Sequence, residues 1–219
     1  MPDLSQTSPA AFNCQGGLVL NRSTFLMQPG EALELQNFEP DIEGGYRRIN
    51  GFSKYVSAVV PQTSSSTEQI LMVATFGDLV VAARGEKIFT ATAGGSSWTE
   101  RDSGRTSAGT YAFERFNFDG NNKLIVVDGA NAPTVFNTAM SATDVSNSDV
   151  AGSKFVAAFK SHMFYAGKSS TPQTLVFSVP FDEDDFTGGQ GAGSIKVDDT
   201  ITGLKVFRDN LFIFCENRI

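Results

Sequence analysis

The sequence predicts an all-β protein of antiparallel β-meanders, arranged as the blades of a partial, truncated β-propeller behind an extended N-terminal arm. The main observation is a repeat. Short apolar runs bounded by turn residues start roughly 40–50 residues apart, the spacing of a propeller blade with several strands. Four such runs occur, at residues 79–83, 124–127, 163–166 and 211–215.

Composition supports the same fold class. The chain has 19 Phe against 4 Tyr and 1 Trp, and these Phe residues fall with β-branched residues in short runs, as strands require. The 21 Gly residues suit a protein rich in turns, and patterns typical of long amphipathic helices are hard to find.

Residues 1–60 differ from the rest and are predicted to be an N-terminal arm and docking segment. Residues 2–13 are polar and contain Pro and Ser, which predicts an extended arm. Leu33 and Leu35 alternate with polar residues as in a half-buried strand, and a short helix over residues 29–35 is the competing interpretation. Glycine-containing pairs at residues 44–45 and 50–51 predict tight turns.

Residues 61–219 are predicted to form about 3.5 blades, entered through a Ser/Thr-rich loop at residues 61–69. The connections between the predicted strands are short and hairpin-like, with no alternation of strands and helices. The fourth unit breaks off at residues 216–219, so we expect either a piece of a longer protein or partner strands from elsewhere. The predicted strands are residues 70–75, 79–83, 87–92, 98–101, 111–117, 123–128, 134–137, 155–159, 163–167, 175–178, 204–207 and 211–215.

The net charge of −7 argues against a protein that coats nucleic acid, because such proteins present basic surfaces. An acidic wall would instead repel passing DNA. No secretory signal and no run of about 18 apolar residues occurs, so no membrane association is predicted. Cys14 and Cys215 are expected to be reduced thiols of a protein made in the cytoplasm rather than a disulfide.

Catalysis and cofactor binding are not predicted. His162, the single histidine, lies in a polar segment between two predicted strands and is expected to be a solvated turn residue. No nucleophile elbow, phosphate-binding loop or metal-binding histidine spacing is present. The glycine-rich stretch at residues 188–193 lacks the preceding strand and following helix of a phosphate loop, and a flexible loop is expected there.

The acidic run at residues 182–185 is the densest group of oxygen ligands. Asp182, Asp184 and Asp185 are therefore weak candidates for a calcium site. The spacing does not match an EF-hand loop, so a solvated loop without metal is the preferred interpretation.

The N-terminal arm, residues 1–30, is the expected contact between subunits, because an exposed extended segment readily joins a neighbour's sheet edge. Arg47 and Arg48 could contact DNA or an acidic neighbouring subunit, and a solvated strand edge is equally open. The predicted interface residues are Phe12, Leu18, Leu20, Phe25, Arg47 and Arg48.

Two regions resemble a known family. Near the N-terminus the motifs are Gly16-Gly17-Leu18, Pro29-Gly30-Glu31-Ala32, Leu35-Gln36-Asn37 and the stretch at residues 45–52. In the second region they lie at residues 159–167, 177–182 and 201–214. The first set is similar to the opening of phage tail proteins. The second is similar to the blade region of the tail hub, nozzle or tail tubular proteins of short-tailed bacteriophages.

This resemblance implies a structural virion protein of the viral tail, made in the host cytoplasm. It implies a homo-oligomer, expected to be a hexameric ring below the portal and adaptor, in contact with other tail proteins. DNA would pass through the ring only as transient cargo during ejection. The resemblance supplies no catalytic residues.

The sequence leaves two other functions as alternatives. A receptor- or glycan-binding β-propeller module is the alternative. A propeller-fold glycosidase comes last, because that chemistry needs two carboxylates facing one sugar and the sequence nominates no such pair.

Overall fold

The computed structural model describes residues 16–42, 45–64, 67–107 and 109–219. The chain divides into two compact units, Met1–Ser53 and Lys54–Ile219. The described residues form 18 strands and two 3-10 helices of three residues each. The prediction of an all-β protein with antiparallel meanders is confirmed. No helix among these residues is long and apolar enough to cross a membrane.

The described part of the first unit contains two small sheets and the 3-10 helix Thr24–Leu26. Strands β1 (Gly17–Leu18) and β2 (Glu31–Ala32) pair in parallel, and β3 (Phe38–Pro40) and β4 (Tyr46–Arg48) pair antiparallel.

The sequence interpretation of residues 29–37 was wrong in both its forms. Leu33 and Leu35 belong to no strand, and no helix forms over residues 29–35. The strand pairing here ends at Ala32, before Leu33. The helix is excluded by a tight turn, in which the backbone N–H of Glu31 donates to the carbonyl of Gln28 at 3.1 Å and Gly30 has φ of 91°. A left-handed residue at this point ends any helical path, and glycine adopts it without steric cost.

The second unit is a series of four antiparallel meanders, here named sheets 1 to 4 in chain order. Sheets 1, 2 and 3 each have four strands joined in sequence, and sheet 4 has two. Sheet 1 consists of β5 (Ile70–Phe76), β6 (Leu79–Arg84), β7 (Lys87–Thr92) and β8 (Thr99–Asp102). Sheet 2 consists of β9 (Ala112–Phe116), β10 (Lys123–Val127), β11 (Thr134–Phe136) and β12 (Ala142–Asp144).

The remaining strands repeat this plan. Sheet 3 consists of β13 (Phe155–Phe159), β14 (His162–Ala166), β15 (Thr174–Phe177) and β16 (Gly193–Lys196), with the 3-10 helix Gly188–Gln190 before its last strand. Sheet 4 consists of β17 (Ile201–Phe207) and β18 (Asn210–Cys215). The first strands of successive sheets lie side by side, β5 by β9, β9 by β13 and β13 by β17.

Neighbouring sheets are held face to face by apolar side chains that alternate along each strand. In sheet 2, Leu124, Val126 and Phe136 pack towards sheet 1, whereas Ile125 and Val127 pack towards sheet 3. This is the period-2 alternation of a strand with both faces buried. A third cluster, which includes Leu175 of sheet 3 and Ile201 of sheet 4, joins the last two sheets. Strand number, strand order and adjacent first strands are compatible with the predicted propeller. The described sheets do not form a closed barrel.

In the second unit the sequence missed two of the observed strands. Strand β12 has all three residues exposed, so it carries no apolar alternation to mark it. Strand β16 begins inside the glycine-rich stretch that was expected to be a flexible loop. Both are the fourth strand of their sheet, where only one neighbouring strand remains to be paired.

Candidate functional site

The described part of the first unit exposes an unusual number of large apolar side chains. Three of the predicted interface residues are among them, Leu18 at 49%, Leu20 at 76% and Phe25 at 96% exposure. Phe12, the fourth, lies outside the described residues. Exposed apolar residues scattered singly are ordinary, whereas several in one stretch of chain are a candidate contact surface for a partner. The other members are Leu26, Leu33, Phe38, Ile42, Ile49 and Phe52.

The two predicted arginines lie on β4 and differ in their contacts. The Arg47 Nε donates to the Glu39 carboxylate at 2.8 Å, across the β3–β4 pair. Both side chains are largely exposed, so this pair contributes at most about 1 kcal/mol to stability. Arg48 is exposed and has no polar side-chain partner among the described residues, so its guanidinium is available for a partner.

A second feature is an open groove of about 750 Å³ in the second unit, between the hairpin turns at one end of sheets 1 and 2. Its apolar floor is formed by the buried rings of Phe76 and Phe116 with half-buried Leu79. This volume lies within the range of about 300–1,000 Å³ that small-molecule sites occupy. The polar lining residues are Asp78, Arg115, Asn117, Asn122, Lys123 and Thr138.

The polar groups of the groove are only partly engaged with one another. The Asn117 amide donates to Asn122 Oδ1 at 3.2 Å, and Arg115 Nη1 makes two long contacts with Thr75, at 3.4 and 3.5 Å. Asp78 is exposed and has no ion-pair partner among the described residues. Donors and an acceptor therefore remain free around an apolar floor.

Lys123, in contrast, is fully compensated. Its Nζ lies 2.8 Å from Glu183 Oε1 and 3.1 Å from Asp119 Oδ2. Burial alone would lower the pKa of Lys123, but the two carboxylates outweigh it and hold the pKa above its usual value. Lys123 therefore lines the groove as a cation whose charge is already paired with two carboxylates.

A buried ionic cluster lies at the other end of sheet 2, around Arg105. The Arg105 Nε lies 2.5 Å from Asp102 Oδ2, and its Nη1 lies 2.9 Å from Asp128 Oδ2. Its Nη2 donates to Thr134 Oγ1, whose hydroxyl donates in turn to Asp144 at 2.5 Å. The side chain of Arg105 is 4% exposed and that of Asp128 is 0% exposed. The cluster ties the end of sheet 1 to sheet 2.

The charges of this cluster are stabilised by their neighbours. Burial opposes ionisation of Asp128, but hydrogen bonds from Asn131, from the backbone of Ala130 and from Arg105 prevail and lower its pKa. Burial likewise opposes the charge on Arg105, and the carboxylates of Asp102 and Asp128 raise its pKa despite it. The charged forms of Asp128 and Arg105 are therefore both favoured.

The acidic run at residues 182–185 is more structured than expected. Glu183 is buried, so the expectation of a solvated loop was wrong for this residue. Each of the three candidate calcium ligands accepts a backbone N–H at 2.8–3.0 Å: Asp182 from Asp184, Asp184 from Ser146 and Asp185 from Thr187. Among the described residues there is no group of three His, Cys, Asp or Glu that could hold a metal ion.

His162 is not the solvated turn residue that the sequence suggested. It is the half-buried first residue of β14, with Nδ1 2.6 Å from the carbonyl of Ser178 and its ring edge-on to Phe177. The turn itself is Lys160-Ser161, which has φ of 46° and 66°. Cys215 has a free thiol, and Cys14 lies outside the described residues.

Sequence reasoning missed both the groove and the Arg105 cluster. Their residues come from turns and strand ends tens of positions apart, and no local spacing signals that they meet. Polar residues in the predicted hairpin turns, such as Asp78 and Asn122, are the one sequence signal that points to the groove. Many solvated turns carry the same residue types, so this signal does not identify a binding site.

No protein-family model matches the chain, and no curated protein is found to be similar to it. The functional conclusions therefore depend on the residues and the geometry given above.

Proposed function

We propose that the chain is a structural subunit of a tailed-phage tail hub or nozzle, which assembles into a ring through its first 53 residues. The ring would be a homo-oligomer, in keeping with the family that the sequence resembles. Its mechanism is architectural: subunits interlock, join other tail proteins and leave an axial passage for DNA.

The observation that carries this proposal is the apolar surface of the described residues 16–53. Phe25, Ile42 and Phe52 each expose more than 95% of their surface, and Leu20 exposes 76%. Placing such side chains against a partner removes apolar area from water, which is favourable by about 25 cal/mol per Å². A segment of this kind gains stability by packing on another subunit.

The charge is consistent with a passage for DNA. A net charge of −7 gives a surface that repels the phosphate backbone rather than binding it. The second unit is consistent with the same proposal, since its described residues form a series of antiparallel β-meanders.

The test is the mass of the full-length chain in solution, measured by size-exclusion chromatography with light scattering and by negative-stain electron microscopy. We expect ring-shaped oligomers for the wild type and a shift towards monomer for the double variant Leu20→Ser/Phe25→Ser. The control is Phe181→Ser, which removes another exposed phenylalanine, at 64% exposure, from the second unit. A wild type that stays monomeric at all concentrations would refute the proposal, as would oligomers unaffected by the double variant.

A further inference from the structure

We propose that the groove between sheets 1 and 2 binds a neutral oligosaccharide. The groove lies wholly within the second unit, so this binding activity is separate from the assembly proposed for the first unit. The inference depends on three properties of the groove, namely its size, the distribution of its polar groups and its charge balance.

The size and floor suit an amphipathic ligand. A groove of about 750 Å³ accommodates two or three sugar rings, as a site of ordinary ligand size does. Phe76, Leu79 and Phe116 line the groove, and half-buried Leu79 offers most of the apolar surface against which the C–H face of a pyranose can lie, because the two Phe residues are only 6% and 7% exposed. A purely polar ligand would make no favourable contact with these apolar side chains.

The rim suits hydroxyl groups, each of which both donates and accepts. Arg115 has five N–H donors and uses only Nη1, in long contacts with Thr75. Asn122 keeps its amide donors because it uses only Oδ1 within the structure. Asp78 supplies carboxylate acceptors across the same groove. Donors and acceptors thus surround the floor as sugar hydroxyls require.

The charge balance excludes polyanions and selects a neutral ligand. The cation of Lys123 is already matched by Asp119 and Glu183, and the lining of the groove holds one further cation, Arg115, and one further carboxylate, Asp78. A nucleic acid or polysulfate would meet no net positive charge here, and it would approach a protein of net charge −7.

Isothermal titration of the full-length chain with maltotriose, cellotriose and chitotriose, and with trigalacturonate as the charged comparison, tests the proposal. We expect saturable binding of at least one neutral trisaccharide and weaker or no binding of trigalacturonate. Arg115→Ala and Asn122→Ala should each weaken that binding by about tenfold, because each removes free donors from the rim. Arg115 and Asn122 are exposed, so the variants should keep the wild-type unfolding midpoint.

The matched control is Lys54→Ala, which removes one exposed cation of the same unit outside the groove and should leave the affinity unchanged. Three results would overturn the proposal. They are the absence of saturable binding with all neutral probes, binding of trigalacturonate alone, and binding that Arg115→Ala and Asn122→Ala leave unaltered.

Discussion

At the scale of single residues, the buried charge of Asp128 is the feature whose disturbance should cost the most stability. Its carboxylate is fully enclosed and is compensated by Arg105, which reaches it from a segment 23 residues away. A buried ion pair adds little when both partners can be replaced, but removing one partner leaves an uncompensated charge in a medium that solvates it poorly. Arg105 is therefore structural, although its residue type alone would suggest a surface side chain.

We predict that Arg105→Met lowers the free energy of unfolding by about 3–5 kcal/mol, because Asp128 remains buried without its cation. The measurement is urea unfolding at neutral pH, followed by circular dichroism. The matched variant Lys87→Met breaks the exposed pair with Glu100 and should cost about 1 kcal/mol or less. Equal losses in the two variants would show that the Arg105 cluster is not energetically distinct from a surface pair.

At the scale of elements, the sheets of the second unit stabilise one another through alternating faces. Strand β10 of sheet 2 is buried on both faces, and its adjacent residues pack towards different neighbouring sheets. The loop after β15 adds a polar tie between sheets, because Glu183 on this loop pairs with Lys123 of sheet 2. No sheet here stands on its own, which is the expected behaviour of stacked repeats.

We predict that Phe136→Ala costs about 3–5 kcal/mol in the free energy of unfolding, since this ring is fully buried between sheets 1 and 2. Phe113→Ala in strand β9 of the same sheet removes the same side chain from a position that is 36% exposed, and its cost should be clearly smaller. Chemical unfolding of the two variants side by side measures the difference. Similar costs would contradict the packing described for sheet 2.

At the scale of the whole molecule, the core of the described residues belongs to the second unit. Its three apolar clusters lie within residues 71–215. The segment that precedes β5 is also anchored there, because Ser57 N–H and Gly94 N–H form backbone hydrogen bonds that join it to the turn after β7.

We therefore predict that residues 54–219, expressed without the first 53, keep their β-sheet signal in circular dichroism and unfold cooperatively. The reason is that all the sheet-to-sheet packing described above remains present in this piece. The full-length chain measured under the same conditions is the control. A non-cooperative or unfolded signal from residues 54–219 would contradict the division of the chain into these two units.

In the second unit the sequence by itself determined most of the strands and their hairpins. Alternating apolar residues and turn residues are local signals, so β7 and β13 were predicted at their observed bounds, Lys87–Thr92 and Phe155–Phe159, and the other first, second and third strands of its sheets within a few residues. The exposed strand β12 was not predicted because an outer strand needs no apolar face. The alternation at Leu33 and Leu35 was misleading, since the pairing of β2 with β1 ends at Ala32, before both residues.

Only the tertiary structure decided which turns and strand ends meet. Arg115 and Asp78 share a groove because sheets 1 and 2 stack with their hairpins at one end, and Arg105 reaches Asp128 at the other end for the same reason. Such contacts depend on packing between whole sheets, which is a property of distant parts of the chain together. The alternation of apolar residues within one segment predicts a strand, but it does not predict which other sheet that strand will pack against.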